Sequence, residues 1–187
     1  VHLYVPYLTF REQPGSEEQF YRQVFKSFDE LKPEAMERGI RICLETMLEI
    51  PAREQYRQFD RIFARYPKEY IGICWDTGHT HVILNEDMTT FAKRYRDRIF
   101  SVHLNDNLGG PRIDLDGKED WYGAVTCIGS LGRTIDWEAV TDVLAESPYE
   151  LPIVLELNCH EKNQKEFLRR SYEAGIRLAN EMERKRI

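Results

Sequence analysis

No apolar run in this sequence approaches the ~18 residues that a membrane-spanning helix requires, and no leader pattern opens it. A membrane partner is therefore not expected. Cysteine is scarce: Cys43, Cys74, Cys127 and Cys159 are the four, and none stands in C-x-x-C spacing. That excludes a disulfide framework or a zinc knuckle, and it reads as reduced thiols in a cytoplasmic protein. Basic stripes are missing as well. With a net charge of −6, nucleic acid is not the expected partner. No glycine-rich phosphate turn follows the first candidate strand, which argues against a dinucleotide-binding open sheet. Nor is there a linker or a low-complexity segment.

What is present suits one globular domain over residues 1–187, with 42% hydrophobic and 31% charged residues. Short β-rich apolar runs alternate with amphipathic stretches. The strand candidates are His2–Tyr7, Ile40–Leu44, Tyr70–Trp75, Ile99–Leu104 and Leu151–Leu157, with a weaker one at Ala124–Ile128. They are apolar on both faces, as buried parallel strands are. Between them, Ser16 and Gln19 offer a capping box for a helix with Phe20, Val24, Phe28 and Leu31 on one face, and Pro33 is expected to kink or restart it. Pro51 suits the first position of a second helix. Phe91 and Tyr95 mark a third, and Asp136 caps a fourth. A stripe of Leu168, Tyr172, Ile176 and Ala179 defines the last. The alternation indicates α/β architecture.

Spacing selects a closed barrel. Glu45 and Asp76 lie 31 residues apart, Asp76 and His103 27, and His103 and Glu156 53. A βα unit of a (β/α)₈ TIM barrel takes about 30 residues, since eight fill about 250. These four residues thus end four strands, with one strand skipped before the last. The chain is short by about two βα units. If Glu156 ends strand eight, then the first two units are absent, and the open edges call for a homo-oligomer or a missing N-terminal segment. The opening Val1 in place of Met agrees with a truncated chain.

Each of the four residues ends an apolar run, in ICLETM, ICWDTGHTH, VHLNDN and IVLELN. Two positions earlier, on the same strand face, stand Cys43, Cys74, Ser101 and Val154, all small as a crowded barrel interior requires. Three carboxylates and an imidazole converging on one mouth repel one another unless a cation sits between them. Oxygen ligands with a single imidazole suit one divalent ion, Mn²⁺ ahead of Mg²⁺, Co²⁺ or Zn²⁺. Strands four and eight of such a ring lie opposite each other, so Glu45 and Glu156 would face across the ion. That fits proton abstraction beside a carbonyl, one glutamate acting as base and the other as acid on an enediolate.

The residues that carry these readings resemble the xylose-isomerase-like TIM-barrel superfamily. It includes ketose 3-epimerases, hydroxypyruvate isomerases, inosose dehydratases and the endonuclease IV group. The resemblance rests on the Glu of ICLETM, D-T-G-H at Asp76 to His79, H-x-x-D at His103 to Asp106, GSLGRTIDW at Gly129 to Trp137, and E-L at Glu156. It implies that Glu45, Asp76, His103 and Glu156 bind one metal and that Glu45 and Glu156 are the catalytic acid–base pair. His79, Asp106 and Arg112 are the substrate contacts expected beside them. The implied activity is isomerisation or epimerisation of a small sugar or polyol, with dehydration of an inosose-type ring as a near variant. Two departures stand out. The D-x-H of endonuclease IV is replaced by Gly123-Ala124-Val125, which leaves a trinuclear phosphodiesterase site incomplete. A second Glu and an Arg of the ketose 3-epimerases are replaced by Pro51 and Gly109.

Plainer readings exist for each residue alone. D-T-G-H can be an Asx-turn closed by Gly78, His103 with Asp106 a core imidazole with its partner, and Glu156 a solvated strand end. An inactive barrel fragment that serves in assembly is the corresponding alternative to an enzyme. His81 reads as loop surface, and His160 fits either reading. Asn105–Tyr122 reads as a long polar loop that could lid a site, carrying Trp121 and Tyr122, with Asp114, Asp116 and Asp120 as solvated charge.

Overall fold

Three of the apolar runs form a parallel sheet in the computed structural model: β1 (Ile42–Glu45), β2 (Ile71–Asp76) and β3 (Ile99–His103), in that order. The described residues are 1–3, 10, 12–47, 50–84, 88–107, 112–113, 119–120, 135–150, 152–157 and 162–186, with backbone alone at 112–113 and 119–120. Among the described residues six α-helices accompany the sheet: α1 (Ser16–Glu37), α2 (Ala52–Phe63), α3 (Thr77–Leu84), α4 (Met88–Arg94), α5 (Trp137–Glu146) and α6 (Gln164–Lys185). Among the described residues no helix is long and apolar enough to cross a membrane.

Both edges of the sheet are extended by single pairings of parallel type. Val1 N donates to Cys43 O at 2.8 Å, and Glu45 N donates to Val1 O at 3.0 Å. On the far side Leu104 N donates to Val154 O at 2.9 Å and Glu156 N to Leu104 O at 3.2 Å. The Glu156 segment is therefore the direct neighbour of β3, and no strand intervenes. The 53-residue interval had implied one. A residue count measures chain length and not lateral order, and part of this length goes into α5 and a short antiparallel pair, β4 (Arg112–Ile113) with β5 (Glu119–Asp120). The candidate strand Ala124–Ile128 lies outside the described residues. The barrel does not close among those that are described. Val154 accordingly is exposed (45%), where a closed interior would have buried it.

The core lies between the sheet and its helices. Leu44, Ile73, Trp75, Val102 and Leu104 turn their side chains outward from the polar strand ends and pack under α2, α4 and α5. Tyr56, Phe59, Phe91 and Tyr95 join edge to face or tilted, with centroids 5.0–6.1 Å apart, the spacing that aromatic pairs favour.

Helix ends show where local chemistry agreed with expectation and where it did not. Asp136 accepts from Ala139 N at 3.0 Å and caps α5. Asp136→Ala is expected to lower the unfolding free energy by about 1 kcal/mol in urea denaturation; an unchanged midpoint would show the cap to be idle. Ser16 is no cap: it is the first residue of α1, whose N-cap is Gly15 with no side-chain bond. The helix does not restart at Pro33, because its buried face continues from Phe28 to Ala35, while Leu31 is exposed. It stops at Gly39, whose φ of 65° suits glycine and lets Ile40 N donate back to Ala35 O at 2.8 Å. On α6 the stripe of Leu168, Tyr172 and Ile176 faces solvent; Phe167, Ala174 and Met182 hold the core instead.

Candidate metal centre

Alternation along the strands divides their two faces. Glu45, Asp76 and His103 share the face opposite the helices, with Cys43, Cys74 and Ser101 two positions earlier. The register is staggered: Glu45 pairs with Cys74, whereas Asp76 pairs with His103. Cys74 thus stands level with Glu45.

Asp76 is fully buried, and three groups fix it. Its Oδ1 accepts from His79 N at 2.7 Å, which makes it the cap of α3. Asn105 Nδ2 donates to both carboxylate oxygens at 3.1 Å each. Thr46 Oγ1 accepts from Asp76 N at 2.9 Å. D-T-G-H is therefore a helix start and not an isolated turn. Burial lifts the Asp76 carboxyl to about 6, against the lowering effect of the His79 charge and N–H and of the Asn105 amide.

Glu45 is 3% exposed, with Oε2 2.6 Å from His2 Nε2 and Oε1 3.0 Å from His103 Nδ1. Burial alone would raise its carboxyl, but the His103 hydrogen bond and the nearby imidazoles bring it below the usual range. His103 Nδ1 also lies 2.6 Å from Glu156 Oε2. Hydrogen bonds with Cys74 and Glu45 push the imidazole up to about 11 despite partial burial. His103 Nδ1 thus stands between two carboxylates.

One ligand atom from each of Glu45, Asp76, His103 and Glu156 lies within 4.8 Å of all the others. Three carboxylates and one imidazole in that space fit a divalent cation, which would replace the His103 proton and relieve the buried charge of Asp76.

His79 stands beside the cluster, 3.8 Å from Glu45 Oε1 and 3.7 Å from Asp76 Oδ2 through Nδ1. That nitrogen lies 2.8 Å from Thr46 O and donates to this carbonyl. Asp106 is not among the four. It is buried, and its Oδ1 accepts from Asn107 N at 2.9 Å. Arg112 lies on β4, with its side chain outside the described set, as are His160, Trp121 and the Gly123–Val125 positions. The 105–122 stretch is not all loop, since β4 and β5 pair within it.

Several neighbours carried no functional reading in the sequence. His2 reaches Glu45 from the edge segment. His81 is buried, not surface, and its Nδ1 lies 2.8 Å from Asn107 Oδ1. Asn105 orients Asp76, and its place two residues beyond His103 was the available signal. Gly78 makes room for it. A Cβ there would lie 1.6 Å from Asn105 Oδ1 and 2.6 Å from its Cγ. Gly78→Ala is expected to displace that amide and weaken metal binding by about tenfold or more, with the circular dichroism spectrum retained. Unchanged affinity would show that Asn105 does not hold Asp76 in place.

The model of the Xylose isomerase-like TIM barrel family matches residues 2–182. The chain belongs to this family. A curated relative, "Uncharacterized protein y4fM" of Sinorhizobium fredii (strain NBRC 101917 / NGR234), is 25% identical over 175 residues, 91% of this chain and 50% of that protein. The chain thus spans about half the length of this relative. As a xylose isomerase-like barrel, the chain carries its polar cluster at the C-terminal ends of its strands, the face on which barrels of this architecture keep their chemistry.

Proposed function

We propose that this chain is a metal-dependent isomerase or epimerase acting on a small sugar or polyol, with one divalent ion held by Glu45, Asp76, His103 and Glu156. The observation that carries this reading is the meeting of these four strand-end donors within 4.8 Å. An ion bound there supplies Lewis-acid polarisation of a carbonyl oxygen.

The chain's own residues supply the proton transfers. One glutamate accepts the proton from the carbon beside the carbonyl, and the other returns a proton, to the same carbon from its other face in an epimerisation or to the neighbouring carbon in an isomerisation. Their surroundings differ. Glu45 is buried and pinned by His2 and His103, whereas Glu156 is half exposed and meets substrate from the solvent side. His79, held by its Nδ1 bond to Thr46 O, offers Nε2 to a substrate oxygen. Arg112 is proposed as a cationic contact from the β4–β5 pair. Asp106 is buried and accepts from Asn107 N.

The test is incubation of the metal-loaded protein with a panel of ketoses and inososes in deuterated water. Deuterium at the carbon beside the carbonyl supports the reading, and its absence across the panel and across Mn²⁺, Mg²⁺, Co²⁺ and Zn²⁺ overturns it. Dehydration of an inosose begins with the same abstraction and is told apart by loss of water. Nucleic acid is not proposed as a substrate; the net charge of −6 supports that.

We propose further that the open sheet associates with a second copy of the chain or with additional βα units. The exposed stripe of Leu168, Tyr172 and Ile176 and the greater length of the relative support this. Sedimentation of a fully active monomer would overturn it.

A further inference from the structure

We propose that Cys74, together with Glu45 and His103, forms a softer donor nest inside the same site, one that draws a thiophilic divalent ion, Zn²⁺ or Co²⁺, in preference to Mn²⁺ or Mg²⁺. This rests on the metal-binding reading above and names the ion class that the reading leaves open.

Three observations carry it. First, the stagger between β1 and β2 sets Cys74 opposite Glu45, one step deeper than Asp76 and on the same inward face. Second, the Cys74 Sγ, a Glu45 oxygen and a His103 nitrogen all lie within 4.8 Å of one another, so two donor sets share Glu45 and His103. Third, Cys74 is 4% exposed yet stands beside the Glu45 carboxylate and the His103 imidazole. A buried cysteine with only a packing role sits among apolar side chains.

One sulfur, one nitrogen and one oxygen donor with further positions open is an arrangement that zinc accepts at catalytic sites. Thiolate favours Zn²⁺ and Co²⁺, while Mn²⁺ and Mg²⁺ favour oxygen donors. Coordination through Sγ breaks the S–H bond and sends its proton to solvent. Cys43, two positions before Glu45 on β1, is not part of either donor set and can be replaced without removing a proposed ligand.

The experiment is a Co²⁺ titration of the whole chain carrying Cys43→Ser, Cys127→Ser and Cys159→Ser, so that Cys74 is the one thiol left. The expected result is a visible cobalt spectrum together with a near-ultraviolet sulfur-to-cobalt charge-transfer band, saturating at one ion per chain. Adding Cys74→Ser should abolish the charge-transfer band and keep the visible bands. It should also weaken Co²⁺ relative to Mn²⁺ by at least about tenfold, since even outer-shell losses cost ~10–100-fold. Visible bands without the charge-transfer band, in the protein that retains Cys74, would overturn the sulfur ligand and leave the four-residue centre standing. No cobalt spectrum at all, in a chain shown folded by circular dichroism, would remove both.

Discussion

Glu156→Gln is expected to lower turnover by about 10²- to 10⁴-fold, the usual contribution of a positioned acid–base group. It should do so in a chain that folds normally. Glu156 is half exposed and meets His103 Nδ1 at 2.6 Å, so its loss removes no buried packing. Substitutions of this kind away from the core fall within about ±0.5 kcal/mol of stability. The proposed substrate's isomerisation, followed beside a urea unfolding curve, separates the two effects. Full turnover in the variant would show that the two-glutamate mechanism is wrong. A joint loss of turnover and stability would place Glu156 in the framework of the fold instead.

Asp76→Asn is expected to produce effects of opposite sign on metal binding and on the metal-free fold. Burial raises the Asp76 carboxyl from 3.8 to about 6, so the folded chain binds this proton more tightly than the unfolded chain does. The sign follows directly: the metal-free protein loses stability as pH rises from about 4 to about 6, by about 3 kcal/mol in all, since each pKa unit is worth about 1.4 kcal/mol. The amide carries no charge to bury. Asn105, whose Oδ1 has no partner among the described residues, can rotate to accept from it. At neutral pH the metal-free variant should therefore unfold at a higher urea concentration than the parent, with this pH dependence removed. Added Mn²⁺, Co²⁺ or Zn²⁺ should stabilise the parent and leave the variant unmoved. A metal-free variant much less stable than the parent would show instead that the carboxylate serves the fold.

The site was legible because its four residues end apolar runs at repeated intervals, and the strand period of two carries their side chains to one face. That rule set Glu45, Asp76 and His103 at strand ends on one face, where the structure has them, and it placed β1, β2 and β3 to within a residue or two. Lateral order was not legible. Nothing in a count of residues tells that Leu104 bridges Leu155, so Glu156 arrives from the strand next to β3 and not from across a ring. The partners of the site were hidden for a related reason. His2, Asn105 and Cys74 reach it through pairing and stagger between strands, and a pattern read along one strand does not contain that information. The stripe on α6 marked the helix, but Leu168, Tyr172 and Ile176 on it are exposed. Periodicity identifies a face, and only packing decides what covers it.

The most direct test of the account is the metal content of the purified chain after dialysis against a trace of Mn²⁺, Co²⁺ or Zn²⁺, measured by elemental mass spectrometry beside Asp76→Asn. The four-ligand centre predicts one ion per parent chain and a clear loss in the variant. An empty parent, or a variant that retains the ion as well as the parent does, would contradict it.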